Sequence, residues 1–419
     1  MLTVHKVRNM YADLGAVGFT HKFRELLGLE DPKSGKNRVS TRTERQVLES
    51  RELRPEQCSL RALYDGLVGD DGRKLMQGAR YIADVDVMED GGSSIVPSAF
   101  SNVSAYNAAA LGLLEAKFLE VYNRPSFIAD QLAEVIPTDK IQERFIGVST
   151  VGDVAEERKP GDRHLRINLS ERYVTTPTNV NRAVGVDVTR EAVMFDRTRE
   201  LLTQAEKSAE ALALRKEYIV LDTFLGIANT YTYNGVNYNT YGTSGNWVNT
   251  QSNPLADWTQ VNAALQLFSA MTDQETGQPV DIEPRDILTM PSGYLTARGI
   301  LRYTEIQRRT ESLAEVGIGA NPLGDFQFNL VGSPTYPYAM RRATASDGLN
   351  LSAANAQKFW WIGDFKRAFV YTQCLPLTIQ RATATDYEMA DRGLIFSMFA
   401  DEMGACGVRD PRYVVMNTN

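Results

Sequence analysis

The sequence has few of the residues from which catalytic and metal centres are built. Only three histidines and three cysteines occur among 419 residues. None of the histidines has a second histidine or a cysteine at i+3 or i+4, the spacing of the common helical zinc sites. The cysteines lie far apart and form no C-x-x-C pair, which is typical of a reducing compartment and predicts neither a disulfide framework nor a zinc site.

The motifs of the common enzyme classes are also missing. The sequence contains no G-x-S-x-G, no P-loop and no G-x-G-x-x-G, so acyl transfer, nucleotide hydrolysis and dinucleotide binding lack their usual residues. The acidic stretch DQETGQPVDIE (273–283) lacks the ligand spacing of a calcium loop and is interpreted as a solvated turn. We therefore expect no enzyme, no cofactor and no metal.

Long apolar runs are absent as well. No segment approaches the ~18 apolar residues that a membrane span requires. The first residues, MLTVHKVRNMYADLG, carry charges where a signal peptide has its apolar region. The expectation is a soluble protein that is made in a cytoplasm and has no membrane partner.

Charge is distributed unevenly along the chain. The net charge is −7, which argues against a dedicated nucleic-acid binder, because such a surface must neutralise phosphates. Residues 1–80 nevertheless carry 15 Lys+Arg against 11 Asp+Glu, a net of +4. A weak contact between this segment and nucleic acid therefore stays open.

What the sequence does contain is a series of helix and strand signals. Residues 1–80 have a mostly helical pattern. The stretch EDGGSSIVPSAF (89–100) contains the Gly, Ser and Pro residues that are typical of a linker, and 103–123 is predicted to be helical. The stretch 189–225 has no Gly or Pro over 37 residues and one apolar face, which predicts a single helix of roughly 55 Å that ends at Gly226.

Three β-hairpins are predicted. One occupies 154–188, with a turn at Lys159-Pro160-Gly161-Asp162. The second is centred on Asn234-Gly235, and the third runs from 359 to 371 around Gly363-Asp364. In the third, Trp360 and Trp361 should point to opposite faces of one strand, so that at least one of them is buried.

The first of these hairpins has a highly charged tip. Its charged residues are Glu156, Glu157, Arg158, Lys159, Asp162, Arg163 and Arg166. Taken alone they fit a solvated hairpin. A two-stranded ribbon that projects by itself is only marginally stable in water, however, and is better explained if it lies on another subunit. We treat these seven residues as candidates for inter-subunit contact.

The elements in this order resemble a major capsid protein of tailed phages, with the Hong Kong 97-type fold. The resemblance covers roughly residues 100–415. It is carried by four segments: VGVDVTREAVMFDRTRELLTQAEKSAEALALRKEYIVLDTFLG (184–226), WTQVNAALQLFSAMTDQETGQPVDIEPRDILTMPSGYLTARGIL (258–301), FWWIGDFKRAFVYTQCLPLTIQRATATDYEM (359–389) and RDPRYVVM (409–416).

The resemblance implies an α+β fold with peripheral and axial domains, a long spine helix, an extended β-hairpin loop and an amino-terminal arm. The expected divisions are an amino-terminal extension (1–88), the arm and first helix (89–144), the extended loop (145–188), the peripheral domain (189–255) with the spine helix (189–225), the axial domain (256–375), and the return strands with the carboxyl-terminal part of the peripheral domain (376–419).

The resemblance also implies the function of a virion subunit. Pentamers and hexamers of the chain would form an icosahedral shell around double-stranded DNA, bound without sequence specificity and assembled in the host cytoplasm. Portal, scaffold or decoration proteins would be further partners.

Two departures from the family follow from particular residues. Some relatives join a loop lysine to an asparagine near the carboxyl terminus. Lys159 is in the appropriate element, but the only asparagines after Thr385 are Asn417 and Asn419, so we predict no covalent cross-link. Many relatives also carry a cleaved scaffolding segment where residues 1–80 stand, and we expect here a permanent extension whose positive charge faces the DNA.

Other functions stay open at this point. An encapsulin-like compartment shares the fold but packages enzymes. A portal or tail-sheath subunit would form rings or tubes. An enzyme of unknown type or an oligomeric binding module has no motif in its favour.

Overall fold

The architecture was analysed in a computed structural model of the chain. The residues that the structure describes are 4–29, 53–67, 96–124, 126–146, 173–245, 247–272, 277, 279–303, 305–309, 316–324, 326–383 and 391–418.

Helices and strands alternate irregularly along the chain. The helices are α1 (Val4–Leu26), α2 (Leu60–Leu67), α3 (Val96–Tyr122), α4 (Ala129–Leu132), α5 (Arg190–Met194), α6 (Thr198–Phe224), α7 (Trp258–Ser269), α8 (Tyr294–Arg302), α9 (Tyr338–Thr344), α10 (Ala353–Ala356) and α11 (Phe365–Ala368). Short 3₁₀ turns occupy Pro55–Gln57, Pro291–Gly293 and Pro411–Tyr413.

The strands are β1 (Glu134–Pro137), β2 (Arg144–Ile146), β3 (Tyr173–Thr175), β4 (Val180–Thr189), β5 (Tyr231–Tyr233), β6 (Val236–Tyr238), β7 (Thr250–Ser252), β8 (Asp286–Thr289), β9 (Glu305–Arg309), β10 (Val316–Ala320), β11 (Asn329–Val331), β12 (Trp360–Gly363), β13 (Phe369–Thr383), β14 (Leu394–Val408) and β15 (Val414–Thr418). Helices and mixed sheets together confirm the predicted α+β class.

The strands form four sheets. Their orders are β1-β13-β14-β4, β11-β8-β12-β15-β7, β2-β3-β5-β6 and the two-stranded β10-β9. In the five-stranded sheet, β12 lies between β8 and β15 and is antiparallel to both. The chain divides into two compact units, one of residues 1–124, 181–214 and 375–402, and one of 125–180, 215–374 and 403–419.

The first unit has a core in which helices α1, α2 and α3 pack with β4, β14 and the first part of α6. Phe19, Phe23, Leu63 and Leu113 are fully buried in this core. Residues of the amino-terminal extension thus belong to the same hydrophobic cluster as residues of the long helix. The described parts of 1–80 are mostly helical, as predicted.

The second unit has two cores, on opposite faces of the five-stranded sheet. Trp360 belongs to one cluster and Trp361 to the other, and both are at most 1% exposed. Successive side chains of a strand point to opposite faces, so the central strand β12 contributes one indole to each core. The prediction that at least one tryptophan is buried is confirmed, and in fact both are.

The hairpin at Asn234-Gly235 is confirmed. Tyr233 pairs with Val236 across a two-residue turn in which Asn234 and Gly235 have φ values of 48° and 80°. Positive φ at both central residues is the signature of a type I′ turn, which Asn-Gly favours.

The single helix predicted over 189–225 is interrupted, and here the prediction was wrong. Helix α5 ends at Met194 and α6 begins at Thr198, with Asp196 between them at φ 51°. Helix α6 has 27 residues and a length of about 40 Å. Its predicted end is correct, because Gly226 follows it with φ +75°, the left-handed conformation that glycine adopts readily.

The hairpin predicted over 359–371 was also wrong. Strand β12 pairs with β8 and β15, whereas β13 belongs to the sheet with β1 and β14. Between them the Asp364 side chain accepts the Arg367 N–H and caps the one-turn helix α11. Phe365 and Phe369 are fully buried on either side of this turn, so apolar burial directs the chain away from β12.

Two further elements differ from those predicted from the sequence. Helix α3 begins at Val96, inside the stretch 89–100 that was predicted to be a linker. Proline is well tolerated in the first turn of a helix, so Pro97 does not prevent this start. Strand β4, predicted as part of the 154–188 hairpin, lies beside β14 instead.

Candidate assembly surfaces

The seven charged residues predicted to contact a neighbouring subunit fall in a part of the chain about which the structure says nothing. Glu156, Glu157, Arg158, Lys159, Asp162, Arg163 and Arg166 all lie outside the described residues. Their role therefore stays a prediction. The structure does describe the residues that flank segment 147–172 on both sides, and we call them the loop base after the predicted hairpin.

The base of the loop is an antiparallel strand pair. Strand β2 ends at Ile146 and β3 begins at Tyr173, and these two residues stand opposite each other in the register. The guanidinium of Arg144 lies 4.9 Å from the ring centroid of Tyr173, a cation–π contact on the same pair. Segment 147–172 thus starts and ends on neighbouring strands.

Side-chain hydrogen bonds hold this base in the second unit. The Gln142 side chain donates to the Thr176 carbonyl at 2.7 Å, and the Asn179 side chain donates to the Lys140 carbonyl at 2.9 Å. The Asn179 amide oxygen also accepts the Thr372 hydroxyl at 2.7 Å. Asn179 and Thr372 are buried, so the base is fastened to strand β13.

One carboxylate at the base has a perturbed pKa. Glu143 accepts hydrogen bonds from the Thr138 hydroxyl at 2.7 Å and from the Lys140 ammonium at 2.9 Å. Both bonds favour the charged form and lower the pKa of Glu143 from its usual value. The carboxylate is therefore ionised in neutral solution and helps to order the turn before β2.

Two exposed apolar side chains flank the base. Ile141 is 67% exposed and Val180 is 51% exposed. They lie close together, because the Asn179 N–H donates to the Ile141 carbonyl at 2.9 Å. A single exposed apolar residue is ordinary, but an adjacent pair on a hydrogen-bonded base is a candidate for contact with another protein surface.

The first unit has an exposed apolar tip at the bend between α5 and α6. Phe195 is 68% exposed and Met194 is 38% exposed. This feature is not predicted from the sequence, because 189–225 has the pattern of one continuous helix. The signal was present as Asp196-Arg197-Thr198, since Asp and Thr are favoured at helix starts.

The structure also places the asparagine considered for cross-linking. Asn417 is fully buried in β15, the second strand from one edge of its sheet. Its side-chain oxygen accepts from the Gln251 amide at 2.7 Å and from the Asn253 amide at 3.2 Å. Asn419 lies outside the described residues.

The described ranges contain no group of three or more His, Cys, Asp or Glu side chains that could hold a metal ion. Among the described helices none is both long and apolar enough to cross a bilayer.

Comparison with known proteins identifies the family. Residues 173–417 match the model of a family described as phage capsid protein. No curated protein matches the sequence.

Several solved structures are similar to the chain at low identity. The capsid of Cyanophage P-SCSP1u is 16% identical with a TM-score of 0.41, covering 70% of this chain and 88% of that one. A chain from Mycobacterium phage Ogopogo is 14% identical with a TM-score of 0.39, covering 70% and 91%. The holo-SrpI encapsulin complex of Synechococcus elongatus PCC 7942 is 12% identical with a TM-score of 0.39, covering 70% and 87%. Likenesses at this level carry no conclusion about function.

The mixed helices and sheets, with α6 as the long helix, agree with the Hong Kong 97-type fold that the sequence predicts. The matched region begins at β3 and ends in β15, and it makes up more than half of the sequence. The chain therefore belongs to the phage capsid protein family.

Proposed function

We propose that the chain is the major capsid protein of a tailed double-stranded DNA phage. The observation that carries this proposal is the family match over residues 173–417. Membership in the family makes the chain a structural component of a virion shell. The finer proposal is that copies assemble as pentamers and hexamers into an icosahedral shell that encloses the genome.

The proposal assigns a use to the loop base. Segment 147–172 would reach a neighbouring subunit from the β2–β3 pair, and the charged residues from Glu156 to Arg166 would meet mixed charges there. The exposed pair Ile141 and Val180 would add apolar area beside this contact. A hydrogen-bonded base keeps the entropy cost of such a contact low, because it is already ordered before assembly.

The net charge of −7 argues against a dedicated DNA-binding surface, so the proposed contact with the enclosed genome is weak and not specific for sequence. Domain roles are carried over from the resemblance as part of the same proposal, with the axial domain at 256–375 and the peripheral domain at 189–255. Assembly in the host cytoplasm, and contacts with portal, scaffold or decoration proteins, complete it. Catalysis has no part in it.

The experiment that tests the proposal is expression of the chain alone, followed by negative-stain microscopy and light scattering on one sample. Closed icosahedral particles, or capsomers of five and six copies, are the expected result. Rings or tubes would indicate a portal or sheath subunit instead. A stable monomer that does not assemble even with the phage's other head proteins would contradict the proposal.

The cargo separates a phage head from an encapsulin-like compartment. Particles purified from infected cells should contain nuclease-protected double-stranded DNA. Particles that contain enzymes and no nucleic acid would contradict the phage assignment while leaving the shell function intact.

A further inference from the structure

The bend between α5 and α6 depends on one carboxylate. Asp196 adopts a left-handed φ of 51°, which is uncommon for residues other than glycine but tolerated best by Asn and Asp. Its Oδ1 atom accepts the Thr198 hydroxyl at 2.7 Å, a local bond. The same atom accepts the Ser59 hydroxyl at 2.8 Å, a bond to a residue 137 positions earlier in the chain.

A second long-range bond reaches the same place. The Leu60 N–H at the start of helix α2 donates to the Thr198 Oγ1 at 2.9 Å. Leu60 is fully buried and Thr198 is 6% exposed, so this bond is shielded from water. The first turn of α2 and the first turn of α6 therefore share two hydrogen bonds through Asp196 and Thr198.

Helix α2, whose start supplies these two bonds, packs in the same core as α1 and α3. Arg24 of α1 pairs with Glu115 of α3 at 2.8 Å, with 14% and 8% of the two side chains exposed. Lys117 of α3 pairs with Glu56, just before α2, at 2.6 Å. The Arg24–Glu115 pair is costly to break, because either charge left alone would be buried without its hydration.

Residues 4–67 lie outside the part of the chain that matches the capsid family, which begins at 173. We propose that their described helices, α1 and α2, are a permanent clamp on the start of the long helix, and that copies assemble with the clamp in place. Only the statement that copies assemble with the clamp in place rests on the proposed shell function. The clamp itself is a property of the single subunit.

The clamp has a consequence for the exposed tip at the bend. Met194 and Phe195 directly precede Asp196, so fixing the bend also fixes the backbone from which Phe195 projects. A side chain on an ordered backbone loses less entropy when it is covered by another surface than one on a mobile backbone. A subunit with a loose bend should therefore assemble less efficiently than one with a fixed bend.

Two matched pairs of variants test the clamp. Asp196→Ala removes the acceptor and disfavours the left-handed backbone, whereas Asp196→Asn keeps both. Thr198→Val removes the acceptor of the Leu60 N–H without changing side-chain size, whereas Thr198→Ser keeps the hydroxyl. Amide hydrogen exchange of the full chain, before assembly, is the first measurement.

We expect Thr198→Val and Asp196→Ala to speed exchange about tenfold in both 196–202 and 60–67, since one ordinary hydrogen bond is worth about a factor of ten. Thr198→Ser and Asp196→Asn should stay close to the wild type. Faster exchange in 196–202 alone would show a local helix cap and would overturn the clamp. Unchanged exchange in both segments would overturn it too.

Purified particles test whether helices α1 and α2 stay in the assembled shell. Peptide mapping of purified particles should recover peptides from 4–29 and 53–67 in the same amount as peptides from 391–418. Absence of the amino-terminal peptides would overturn the inference. If the wild-type chain forms no particles under any condition, the proposed function fails, while the exchange measurement still decides whether the clamp exists.

Discussion

The carboxylate of Glu217, on helix α6, accepts the backbone N–H of Ile128 at 2.9 Å in the interior of the second unit. Its other oxygen accepts the N–H of Ala129, also at 2.9 Å, and the Tyr336 hydroxyl donates to the first oxygen. Glu217 is fully buried, and Tyr336 is 5% exposed. One side chain thus joins the start of α4 and the loop before α9 to the long helix.

Replacing this carboxylate should cost substantial stability. Glu217→Ala leaves three buried donors without this acceptor, and we expect a loss of about 3–5 kcal/mol in the free energy of unfolding, measured by urea denaturation at neutral pH. Tyr336→Phe is the control, since it removes a single donor and should cost about 1 kcal/mol. A Glu217→Ala variant as stable as Tyr336→Phe would show that the network is unimportant.

The contact between Glu217 and Tyr336 also affects the ionisation of the Tyr336 phenol. Burial and the neighbouring Glu217 carboxylate raise the pKa of the Tyr336 phenol well above its ordinary value. The phenol is therefore protonated and able to donate in neutral solution.

Two glycines with positive φ form a second matched test. At Gly226 an added Cβ would lie 2.8 Å from the Tyr241 ring, whereas at Gly235 it would meet nothing within 4 Å. Gly235→Ala should cost about 1 kcal/mol for the left-handed backbone alone. Gly226→Ala should cost about 1–3 kcal/mol more, because the aromatic ring must move. Equal losses in thermal or urea denaturation would contradict this difference.

Thiol labelling should distinguish the three cysteines. Burial raises the pKa values of Cys58 and Cys406 to about 12, and these residues are 6% and 2% exposed. Cys374 is only partly buried. Since the thiolate is the reactive form, an alkylating reagent at pH 8 should modify Cys374 in the folded, unassembled subunit and leave the other two intact.

Mass spectrometry of the labelled peptides gives the result, and the denatured chain, in which all three cysteines react, is the control. Rapid labelling of Cys58 or Cys406 in the folded subunit would show that their surroundings open readily.

The apolar pair at the loop base should be sensitive to charge during assembly. Ile141 is 67% exposed, so Ile141→Asp should leave the melting temperature of the isolated subunit unchanged. If the side chain is covered in the shell, an unpaired carboxylate there should reduce the yield of particles by about tenfold or more. Ile141→Val is the conservative control. Particle yields of Ile141→Asp equal to the wild type would exclude this surface from the interface.

No covalent ladder is expected from mature particles. Asn417 is fully buried and its side-chain oxygen is hydrogen-bonded to Gln251 and Asn253. A lysine from another subunit cannot reach this amide without opening the sheet. Boiling particles in detergent should give one band at the size of the single subunit, and regularly spaced higher bands would refute the prediction.

Local sequence signals predicted the elements whose conformation is decided by their own residues. Asn234-Gly235 has the backbone preference of its turn, and Gly226 has the freedom that the end of α6 requires. The α+β class followed in the same way from the alternation of such elements. The charged hairpin tip lies outside the described residues, so both its conformation and its contacts stay predictions.

The sequence was less informative where distant residues decide the conformation. The break at Asp196 is stabilised by Ser59, a partner that no local pattern reveals. The turn after β12 is directed by the burial of Phe365 and Phe369, whose environment depends on the complete fold. The Ile141 and Val180 pair depends on a backbone bond between segments that are separated in sequence.

The placement of Trp360 and Trp361 gives the protein two optical probes in adjacent residues. Each indole belongs to a different core of the second unit, and each is at most 1% exposed. The sequence has two further tryptophans, Trp247 and Trp258, which must first be replaced by Phe. In that background Trp360→Phe would leave fluorescence that reports on the core around Trp361, and Trp361→Phe would leave fluorescence that reports on the other core. The order in which the two faces of one sheet lose their packing can therefore be read by comparing these two variants, which differ only at adjacent positions of one strand.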